Sequence, residues 1–558
     1  MNNMLKLVSL LTCLCLLLGS VALADTYTAT ANGYGGQMTI EVVIENGVIT
    51  DVVLGENHET NVVMDRAFPV IRERILTANT ADVDSVSAAT FSSYAVKTAV
   101  ADAMKQAGLE APAVSMQNAE KPATERAAET CDIVIVGGGP AGLAAAIGAK
   151  QTNANANIII VEKLDILSGN GKFDMNFFDM INTKAQHAAN TERYITNQIE
   201  NFKEDKANAG ETAERIAVWA EEENNIDAWL REMGVELNYN YGGTNHMAEA
   251  DRYAGEAIQD GLENAVFGYG VDVRTGTKGV DLVMEDGVCK GVIVTNNQNE
   301  TYTINAKNTI IATGGWCFNK ELLAKYAPGY EVFNTSNQMG ATGDFVPVFE
   351  KLGFKLENMG NIRVFPYILA VRRDLTGGSA GFLLFNKNGE RFIDETAGNL
   401  GLGTTLLEQS PAYYIYDSTN YNANYRLRKH TAAGYHVKAD TLDELSEKLG
   451  MNAENLKAGI ETYNKAVAGE CDDPFRAKPG PRAFDAEGPY YAAHVESAVH
   501  MTKGGVSCNE FAQVLYADDT VVENLYACGE VTWQSGGYSQ SVVFGRVAGE
   551  QAAKAMAE

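Results

Sequence analysis

The stretch Cys131-Asp-Ile-Val-Ile-Val-Gly-Gly-Gly-Pro-Ala-Gly-Leu-Ala-Ala-Ala-Ile-Gly148 decides the fold of most of this chain. The β-branched run 133–136 predicts a buried strand, and the alanines after it predict a helix that follows directly. Gly137, Gly139 and Gly142 take the G-x-G-x-x-G positions, which allow a tight turn, close approach of backbone to a pyrophosphate, and tight helix-on-strand packing. The pattern predicts a dinucleotide-binding turn.

The residues that follow fit the same kind of site. Residues 157–161 predict a second buried strand, which ends at Glu162, where an acid that holds a ribose 2′-hydroxyl is expected. Later segments also end in glycines or acids, namely Gly314, Gly315, Asp344 and Glu530. The alternative is a glycine turn without a nucleotide. Because strand ends of a doubly wound sheet face one crevice, we expect these residues to converge on one nucleotide.

The bulk composition describes a globular, acidic chain. Its 558 residues exceed what one core holds, so several domains are expected. The formal net charge of −28 argues against binding to nucleic acid or to an anionic membrane surface, both of which need a basic footprint. A few buried arginines still allow a local anion site.

Residues 1–24 have the pattern of a secretory signal. One charged residue, Lys6, precedes an apolar run, and small residues Ala22 and Ala24 precede Asp25. An uncleaved membrane anchor is the alternative, but it needs a longer apolar run. We expect export by this signal peptide and an extracytoplasmic protein, either periplasmic or at the cell surface or secreted.

The cysteines predict no metal site. Six remain beyond the signal, and none of them forms a C-x-x-C pair or a C-x-x-C-H motif. Zinc, iron–sulfur clusters and c-type haem are therefore not supported. The apolar surroundings of Cys131, Cys289 and Cys528 favour buried thiols over disulfides.

Residues 25–108 predict a small separate domain. Residues 37–44 alternate as a half-buried strand, and Glu45-Asn-Gly47 predicts a hairpin turn into a second strand at 48–54. The hydroxyl-rich loop 84–93 precedes a predicted helix, and by itself this loop is typical of helix capping. Residues 109–130, rich in Ala, Glu and Pro, predict a linker.

A family resemblance gives the loop a second interpretation. Asp84-Ser-Val-Ser-Ala-Ala-Thr90 resembles the flavinylation motif of the FMN-binding domain family, although Ala88 stands where Gly or Ser is more common. The resemblance implies FMN linked covalently, through its phosphate, to the hydroxyl of Thr90 by a flavin transferase. The predicted export agrees, because such domains usually work outside the cytoplasm.

The order of motifs from Cys131 to Glu558 resembles the flavoprotein subunit family of fumarate reductases, which includes urocanate reductase, L-aspartate oxidase and 3-ketosteroid dehydrogenases. It implies an α/β fold: a doubly wound Rossmann-type FAD domain with an α+β capping insertion, preceded by the small α+β FMN-binding domain. The FAD domain takes residues 131–243, 244–300, 301–360 and 494–558, and the capping domain takes 361–493. The implied non-covalent FAD contacts are Gly137, Gly139, Gly142, Glu162, Ser168, Asn170, Gly171, Gly314, Gly315, Asp344 and Glu530.

The presumed substrate site departs from the fumarate-reducing members. Their proton-donating Arg corresponds to Asn399, their His-Pro-Thr is replaced by Phe365-Pro-Tyr367, and their last substrate Arg has no counterpart near residue 538. His500 matches a substrate-binding His, and Tyr538 falls where ketosteroid dehydrogenases place a catalytic Tyr. The candidate catalytic residues are His500, Tyr538 and Arg363, with Arg372 and Arg373 as further basic groups.

These departures make fumarate a poor candidate acceptor, since losing partners of a buried charge costs several kcal/mol. Phe365, Tyr367 and Tyr538 suggest an aryl or apolar α,β-unsaturated carboxylate. We expect electrons to pass from a membrane-bound, quinol- or flavin-linked donor to FMN, FAD and this small substrate, as in respiration. The alternatives are a 3-ketosteroid-type dehydrogenase or enone reductase, which the FMN domain disfavours, and a non-catalytic flavin electron carrier.

Overall fold

The computed structural model describes residues 24–167, 169–172, 175–185, 196, 212–370, 372–377, 381–397, 399–533 and 537–556. The chain divides into two compact units, Met1–Lys121 and Pro122–Glu558. Apart from Ala24, the predicted signal lies outside the described residues. Within the described ranges, no helix combines the length and the apolar character that a membrane crossing requires.

The first unit is an antiparallel three-stranded sheet with two helices. Its elements are β1 (Asp25–Asn32), β2 (Gln37–Glu45), β3 (Val48–Leu54), α1 (Asn61–Ala78) and α2 (Thr90–Gln106). Asn46 and Gly47 between β2 and β3 have φ of 51° and 80°, the left-handed pair that a tight hairpin turn needs. The predicted hairpin is confirmed, and alternate β2 residues bury their side chains on one face.

The predicted linker 109–130 is divided between the two units. In the first unit, the buried Lys97 donates from Nζ to the Ser115 carbonyl over 2.6 Å, and Lys121 pairs with Asp84 at 2.7 Å. In the second unit, regular structure begins with β4 (Thr124–Glu125) and β5 (Glu129–Val136). These two side-chain contacts hold residues 115–121 to the first unit. The amino-acid composition of the segment does not predict them.

The remaining strands are β6 (Ile158–Val161), β7 (Phe178–Asp179), β8 (Tyr239–Gly242), β9 (Asn245–Met247), β10 (Asp272–Arg274), β11 (Thr277–Glu285), β12 (Val288–Asn296), β13 (Glu300–Ile311), β14 (Asn334–Thr335), β15 (Leu356–Glu357), β16 (Ile362–Leu369), β17 (Leu383–Asn386), β18 (Ala412–Asp417), β19 (Val437–Ala439), β20 (Tyr490–Thr502), β21 (Gly505–Val506), β22 (Gln513–Leu515) and β23 (Val521–Ala527). The helices are α3 (Pro140–Thr152), α4 (Ala213–Glu223), α5 (Ile226–Glu232), α6 (Ala254–Gly268), α7 (Lys320–Tyr326), α8 (Val346–Leu352), α9 (Asn399–Glu408), α10 (Ser418–Ala423), α11 (Tyr425–Ala432), α12 (Leu442–Leu449), α13 (Ala453–Val467) and α14 (Gly537–Lys554).

The larger sheet of the second unit has a parallel centre. Strands β10, β6, β5, β13 and β23 run parallel in that order, and β11, β12 and β22 extend the sheet with antiparallel pairs. On β5, Ile133 and Ile135 enter one hydrophobic cluster while Val134 and Val136 enter another on the opposite face. Burial on both faces is why this strand is continuously apolar, and the doubly wound α/β prediction is confirmed.

The capping insertion forms its own sheet, which we call the cap sheet. The long strand β20 pairs with β14, β16, β18 and β19, and β17 pairs with β18. Because β14 begins at Asn334 and β20 runs to Thr502, the cap sheet extends past the predicted limits of 361–493 on both sides. Its strands therefore carry the chain back toward the larger sheet.

A buried ion cluster lies in the core of the cap. Arg391 contacts Glu395 at 3.2 Å and Asp473 at 3.1 Å, and Arg476 contacts Glu395 at 2.8 Å. The Glu395 side chain is fully buried, so its partners must balance its charge. Glu395 lies four residues before Asn399, and the structure places it in the cap interior.

Candidate active site

The glycine-rich turn between β5 and α3 leaves no room for side chains. Gly137 has a φ of 118°, and a Cβ there would lie 2.3 Å from the Ala312 carbonyl oxygen. A Cβ on Gly142 would lie 2.0 Å from the Gly137 carbonyl oxygen, whereas one on Gly139 would meet its nearest atom, in Gly169, at 3.5 Å. Glycine is therefore required by the turn itself and by the packing of α3.

Glu162 lies at this turn, as predicted. It follows β6, and its Oε2 accepts a hydrogen bond from the Gly138 amide at 2.8 Å. Its Oε1 accepts from the Leu164 amide at 2.9 Å, and the residue is 8% exposed. Two backbone amides thus fix the carboxylate at the edge of the turn where a ribose is expected.

Asp344 is joined to the same strand end by lysines. Its carboxylate contacts Lys163 Nζ at 2.7 Å and Lys278 Nζ at 2.8 Å, and Lys163 also donates to Thr342. Burial opposes ionisation, but the two lysines outweigh it and lower the pKa of Asp344. Asp344 is therefore an ionised group held by Lys163, the residue after Glu162.

The loop after Glu162 packs closely against α14. Ser168 lies outside the described residues, while Asn170 and Gly171 are described. A Cβ on Gly171 would lie 2.7 Å from the Tyr538 ring, and one on Gly255 would lie 1.8 Å from the Gly171 carbonyl oxygen. A side chain at Gly171 or Gly255 would therefore prevent the loop from packing this closely on Tyr538 and the start of α6.

Glu530 lies against the glycines that follow β13. Its Oε1 accepts from the Thr502 amide at 2.9 Å, and a Cβ on Gly315 would lie 2.4 Å from the same oxygen. Gly314 has a φ of 71°. Burial raises the pKa of Glu530 to about 7, although its bonds to Thr502 and Asn170 oppose that rise. The predicted residues from β13 and β23 thus converge as expected.

His500 is connected through Asn337 to the loop at Asn170, which follows Glu162. Asn337 Nδ2 donates to the His500 carbonyl at 2.6 Å, and Asn170 Nδ2 donates to Asn337 Oδ1 at 2.8 Å. The His500 ring bonds Ser336 through Nδ1 at 2.8 Å and lies 5.4 Å from the Phe365 ring. The cap sheet therefore brings His500 and Phe365 to one side of the loop at Asn170.

Tyr538 carries a buried hydroxyl. The ring makes an edge-to-face contact with Phe178 at 5.3 Å. Its hydroxyl has no hydrogen-bond partner within the described ranges, and burial raises the pKa of the phenol. A buried polar atom of this kind needs a partner. Its position beside Gly171 fits contact with a bound flavin or substrate.

The three candidate arginines occupy different surroundings. Arg363 is exposed on β16 opposite Met501, and the described part of the chain offers it no ion pair. Arg372 stacks 3.7 Å from the Tyr435 ring centroid. Arg373 donates to the Asn337 carbonyl at 3.1 Å, so its guanidinium reaches the Asn170–His500 connection.

Tyr367 does not line the site, contrary to the suggestion from sequence. Its hydroxyl donates to the Glu395 carbonyl at 3.4 Å, and its ring contacts Phe382 and Tyr414 in the core of the cap. An irregularity in the pairing of β16 with β20 between Phe365 and Ile368 explains the error. Regular alternation would place Phe365 and Tyr367 on one face, but the irregularity gives them different surroundings. Asn399 begins α9, and its side chain lies outside the described part.

Sequence reasoning missed a cap helix that faces this region. Arg426 of α11 donates from Nη2 to Asn176 Oδ1 at 2.7 Å, and Lys429 lies 4.4 Å from the Tyr253 ring centroid. His430 follows on the same helix face and is 3% exposed. An arginine and a histidine four residues apart are the only sequence signal, and no motif marks them.

In the first unit, Thr90 is the first residue of α2. It is partly exposed, and its hydroxyl has no hydrogen-bond partner among the described residues. Ala88 before it has a φ of 76°, which costs a non-glycine residue about 1–2 kcal/mol. Lys97 holds the loop by donating to Val83 at 2.7 Å and to Ser85 at 3.0 Å. An available hydroxyl on a fixed loop fits attachment of FMN.

The six cysteines among the described residues are free thiols. Cys289, Cys317, Cys508 and Cys528 are buried, and burial raises the pKa of Cys131 to about 12. Within the described ranges, no group of three or more His, Cys, Asp or Glu residues is placed to hold a metal ion.

Comparison with protein families identifies two matches. The FAD binding domain model matches residues 132–541, and the FMN-binding domain model matches residues 33–105. The first match covers the larger sheet, the cap and His500. The second covers Thr90.

Individual relatives have related activities. An NADH:fumarate oxidoreductase of Klebsiella pneumoniae (strain 342) is 31% identical over 95% of this chain and 58% of its own length. A urocanate reductase of Eggerthella lenta is 28% identical over 95% of this chain and 92% of its own. The solved open conformation of a flavocytochrome c3 fumarate reductase has a TM-score of 0.69 and 29% identity over 76% of this chain and 78% of that one.

Proposed function

Because the chain belongs to the flavoprotein family of fumarate reductases, we propose that it is an FAD- and FMN-dependent oxidoreductase that saturates an activated C=C bond. Bound FAD supplies the hydride, while residues of this chain hold the acceptor and deliver the proton. The observation that best supports this proposal is the pair of hydrogen bonds that connects Asn170 through Asn337 to His500. It connects the loop at Asn170, where we propose that FAD binds, to His500, the cap residue that resembles a substrate ligand.

The acceptor is an α,β-unsaturated carboxylate with an aryl or apolar substituent. Phe365 lies beside His500 where the fumarate-reducing members have a histidine, and this ring favours an apolar group over a second carboxylate. Arg373 and Arg426 provide cationic groups near the loop for one carboxylate. Urocanate, an acrylate with an aromatic ring, has this chemistry, and the relative named for it spans both flavin domains.

The electron route begins outside the cytoplasm. A signal peptide exports the chain, a flavin transferase attaches FMN to Thr90, and a membrane-bound quinol- or flavin-linked donor reduces the FMN. The partly exposed Thr90 without a partner supports the attachment. The FMN then passes electrons to FAD.

A screen of electron acceptors tests the reaction. Enzyme reduced with dithionite under argon is mixed with fumarate, urocanate, cinnamate, acrylate or an enone steroid, and flavin reoxidation is followed by absorbance. We expect urocanate or cinnamate to reoxidise the enzyme at least about tenfold faster than fumarate, a difference of about 1.4 kcal/mol in barrier. A preference for fumarate would overturn the proposed acceptor class. Reoxidation by none of these acceptors would overturn the proposal that the protein is a C=C reductase.

A single substitution tests the FMN attachment. Protein co-expressed with a flavin transferase should carry one FMN adduct by mass spectrometry, and Thr90→Ala should lose it. Thr98→Ala is the matched control, since Thr98 lies on the same helix and its hydroxyl donates to the Tyr94 carbonyl. An adduct that persists in Thr90→Ala would refute the assignment.

A further inference from the structure

Four buried side chains in the cap form a continuous hydrogen-bonded series. The Tyr416 hydroxyl bonds His436 Nδ1 at 2.7 Å. His436 Nε2 bonds the Thr376 hydroxyl at 3.2 Å, and the same hydroxyl bonds His430 Nδ1 at 3.2 Å. All four residues are buried, so the series is shielded from competing water.

One end of the series approaches solvent. The Tyr416 hydroxyl also contacts the hydroxyl of Thr431 at 3.1 Å, and Thr431 is partly exposed. At the other end, His430 Nε2 has no hydrogen-bond partner among the described residues. The series therefore begins at the cap surface and ends at an imidazole nitrogen available to a further group.

The helix that carries His430 lies near the loop at Asn170. Arg426, one turn before His430 on α11, reaches Asn176 Oδ1 at 2.7 Å. The Asn176 carbonyl accepts from the Ala254 amide, next to Gly255, which packs on Gly171. This side of α11 therefore lies over the segment that follows the loop.

The segment that carries Thr376 contacts the same region from the other side. Arg373, three residues earlier, donates to the Asn337 carbonyl at 3.1 Å, and Asn337 bonds both Asn170 and His500. Contacts to the loop thus flank the His430–Thr376 pair on both chain segments. The free end of the series therefore belongs to a pair of segments that both contact the region where the acceptor is proposed to bind.

The protonation states suit transfer along the series. Burial lowers the pKa of His436 to about 3, with a further contribution from His430. Burial, Arg426, Lys429 and Arg372 lower the pKa of His430 well below its usual value. Both imidazoles are therefore neutral near pH 7, and each has one N–H to donate and one lone pair to accept.

We propose that this series, Thr431–Tyr416–His436–Thr376–His430, is the proton relay that completes saturation of the C=C bond, with His430 as the proton donor. The inference rests on the proposed function. It supplies a donor to a chain in which the family's arginine position holds Asn399.

The transfer balances without any further reagent. Hydride addition to one carbon of the C=C bond leaves the other carbon to accept the Nε2 proton of His430. His430 Nδ1 then takes the Thr376 hydroxyl proton, Thr376 takes the Nε2 proton of His436, and His436 Nδ1 takes the Tyr416 proton. Solvent at Thr431 replaces this last proton, so no charge remains in the cap.

The test separates proton delivery from electron transfer in the FAD- and FMN-loaded enzyme. Reduced His430→Gln should be reoxidised by the best acceptor of the screen about 10²- to 10⁴-fold more slowly than wild type. Its reoxidation by ferricyanide, which needs no proton on carbon, should be unchanged. Tyr416→Phe, which keeps the ring, should slow the acceptor reaction alone about tenfold and change its solvent deuterium isotope effect.

Two further measurements distinguish a donor from a structural residue. Imidazole in the buffer should restore part of the rate of His430→Ala, and ¹⁵N NMR of histidine-labelled enzyme should show both imidazoles neutral at pH 6. An unchanged rate in His430→Gln, or a charged imidazole at pH 6, overturns the relay. If wild type reacts with no C=C acceptor, the proposed function and the relay both fail. If wild type is active and His430→Gln is reoxidised at the same rate, the relay alone is refuted.

Discussion

The two regions that meet at the candidate active site are built in different ways. Between β5 and α3, backbone carbonyls come so close to Gly137 and Gly142 that a Cβ has no room, and after β13 the Glu530 and Thr502 side chains fill the same space at Gly315. In the cap, the corresponding surface is made of side chains such as Arg373, His430 and Phe365 from separate elements. The first region can bind a cofactor common to a family, while the second is free to change its substrate.

The same difference governs stability. The cap balances charges in its interior, as in the Arg391–Glu395 pair, whereas the larger sheet is filled with aliphatic side chains on both faces. Buried charges are sensitive to the loss of a single partner, and glycine packing is sensitive to a single added carbon. Substitutions in the two regions should therefore destabilise the protein for different physical reasons.

The largest expected effect is in the cap core. Arg391→Met leaves Asp473 without this partner and removes one of two arginines from Glu395, so we expect a loss of about 3–5 kcal/mol in unfolding free energy. Urea unfolding followed by tyrosine fluorescence measures it. Lys457→Met, which removes an exposed ion pair in the same cap, should leave the unfolding midpoint unchanged. Equal midpoints for the two variants would contradict the buried-charge account.

A smaller effect is expected at the glycine turn, with loss of FAD as its signature. In Gly142→Ala the new Cβ would lie 2.0 Å from the Gly137 carbonyl oxygen, and the forced shift should cost about 3 kcal/mol. FAD content after gel filtration and the unfolding midpoint check this. Gly401→Ala in α9, where a Cβ meets nothing within 4 Å, should instead stabilise by about 0.5–1 kcal/mol and retain FAD.

The smallest of the three effects is a dependence of cap stability on pH. Folding lowers the pKa of His436 from 6.5 to about 3, so below pH 6.5 the unfolded state binds more protons than the folded state. Stability is therefore complete above pH 6.5 and falls as the pH drops, by about 2 kcal/mol at pH 5 for this one histidine. Urea unfolding at pH 7 and pH 5 measures the loss. His436→Gln should show a shallower dependence, and an identical slope would show that the histidine folds already protonated.

Sequence alone predicted which strand ends come together better than it predicted which cap residues lie near them. Glu162 and Glu530 follow strands whose apolar runs are visible in the sequence, and a parallel sheet brings such strand ends together. Tyr367 was misplaced because its side of β16 depends on the packing of the cap. Arg426 and His430 were missed because their significance depends on Asn176 and Thr376, which are 250 and 54 residues away.

The sequence by itself determined the doubly wound fold, the two flavin domains and the glycine turn, because backbone geometry permits only glycine at positions such as Gly137 and because buried parallel strands require continuous apolar runs. The tertiary structure alone decided which polar groups of the cap face the loop at Asn170. Arg373, His430 and His436 gain their hydrogen bonds from neighbours that are distant in sequence, and burial in the folded cap lowers the pKa of both histidines. Such partners follow from packing, and no local pattern records them.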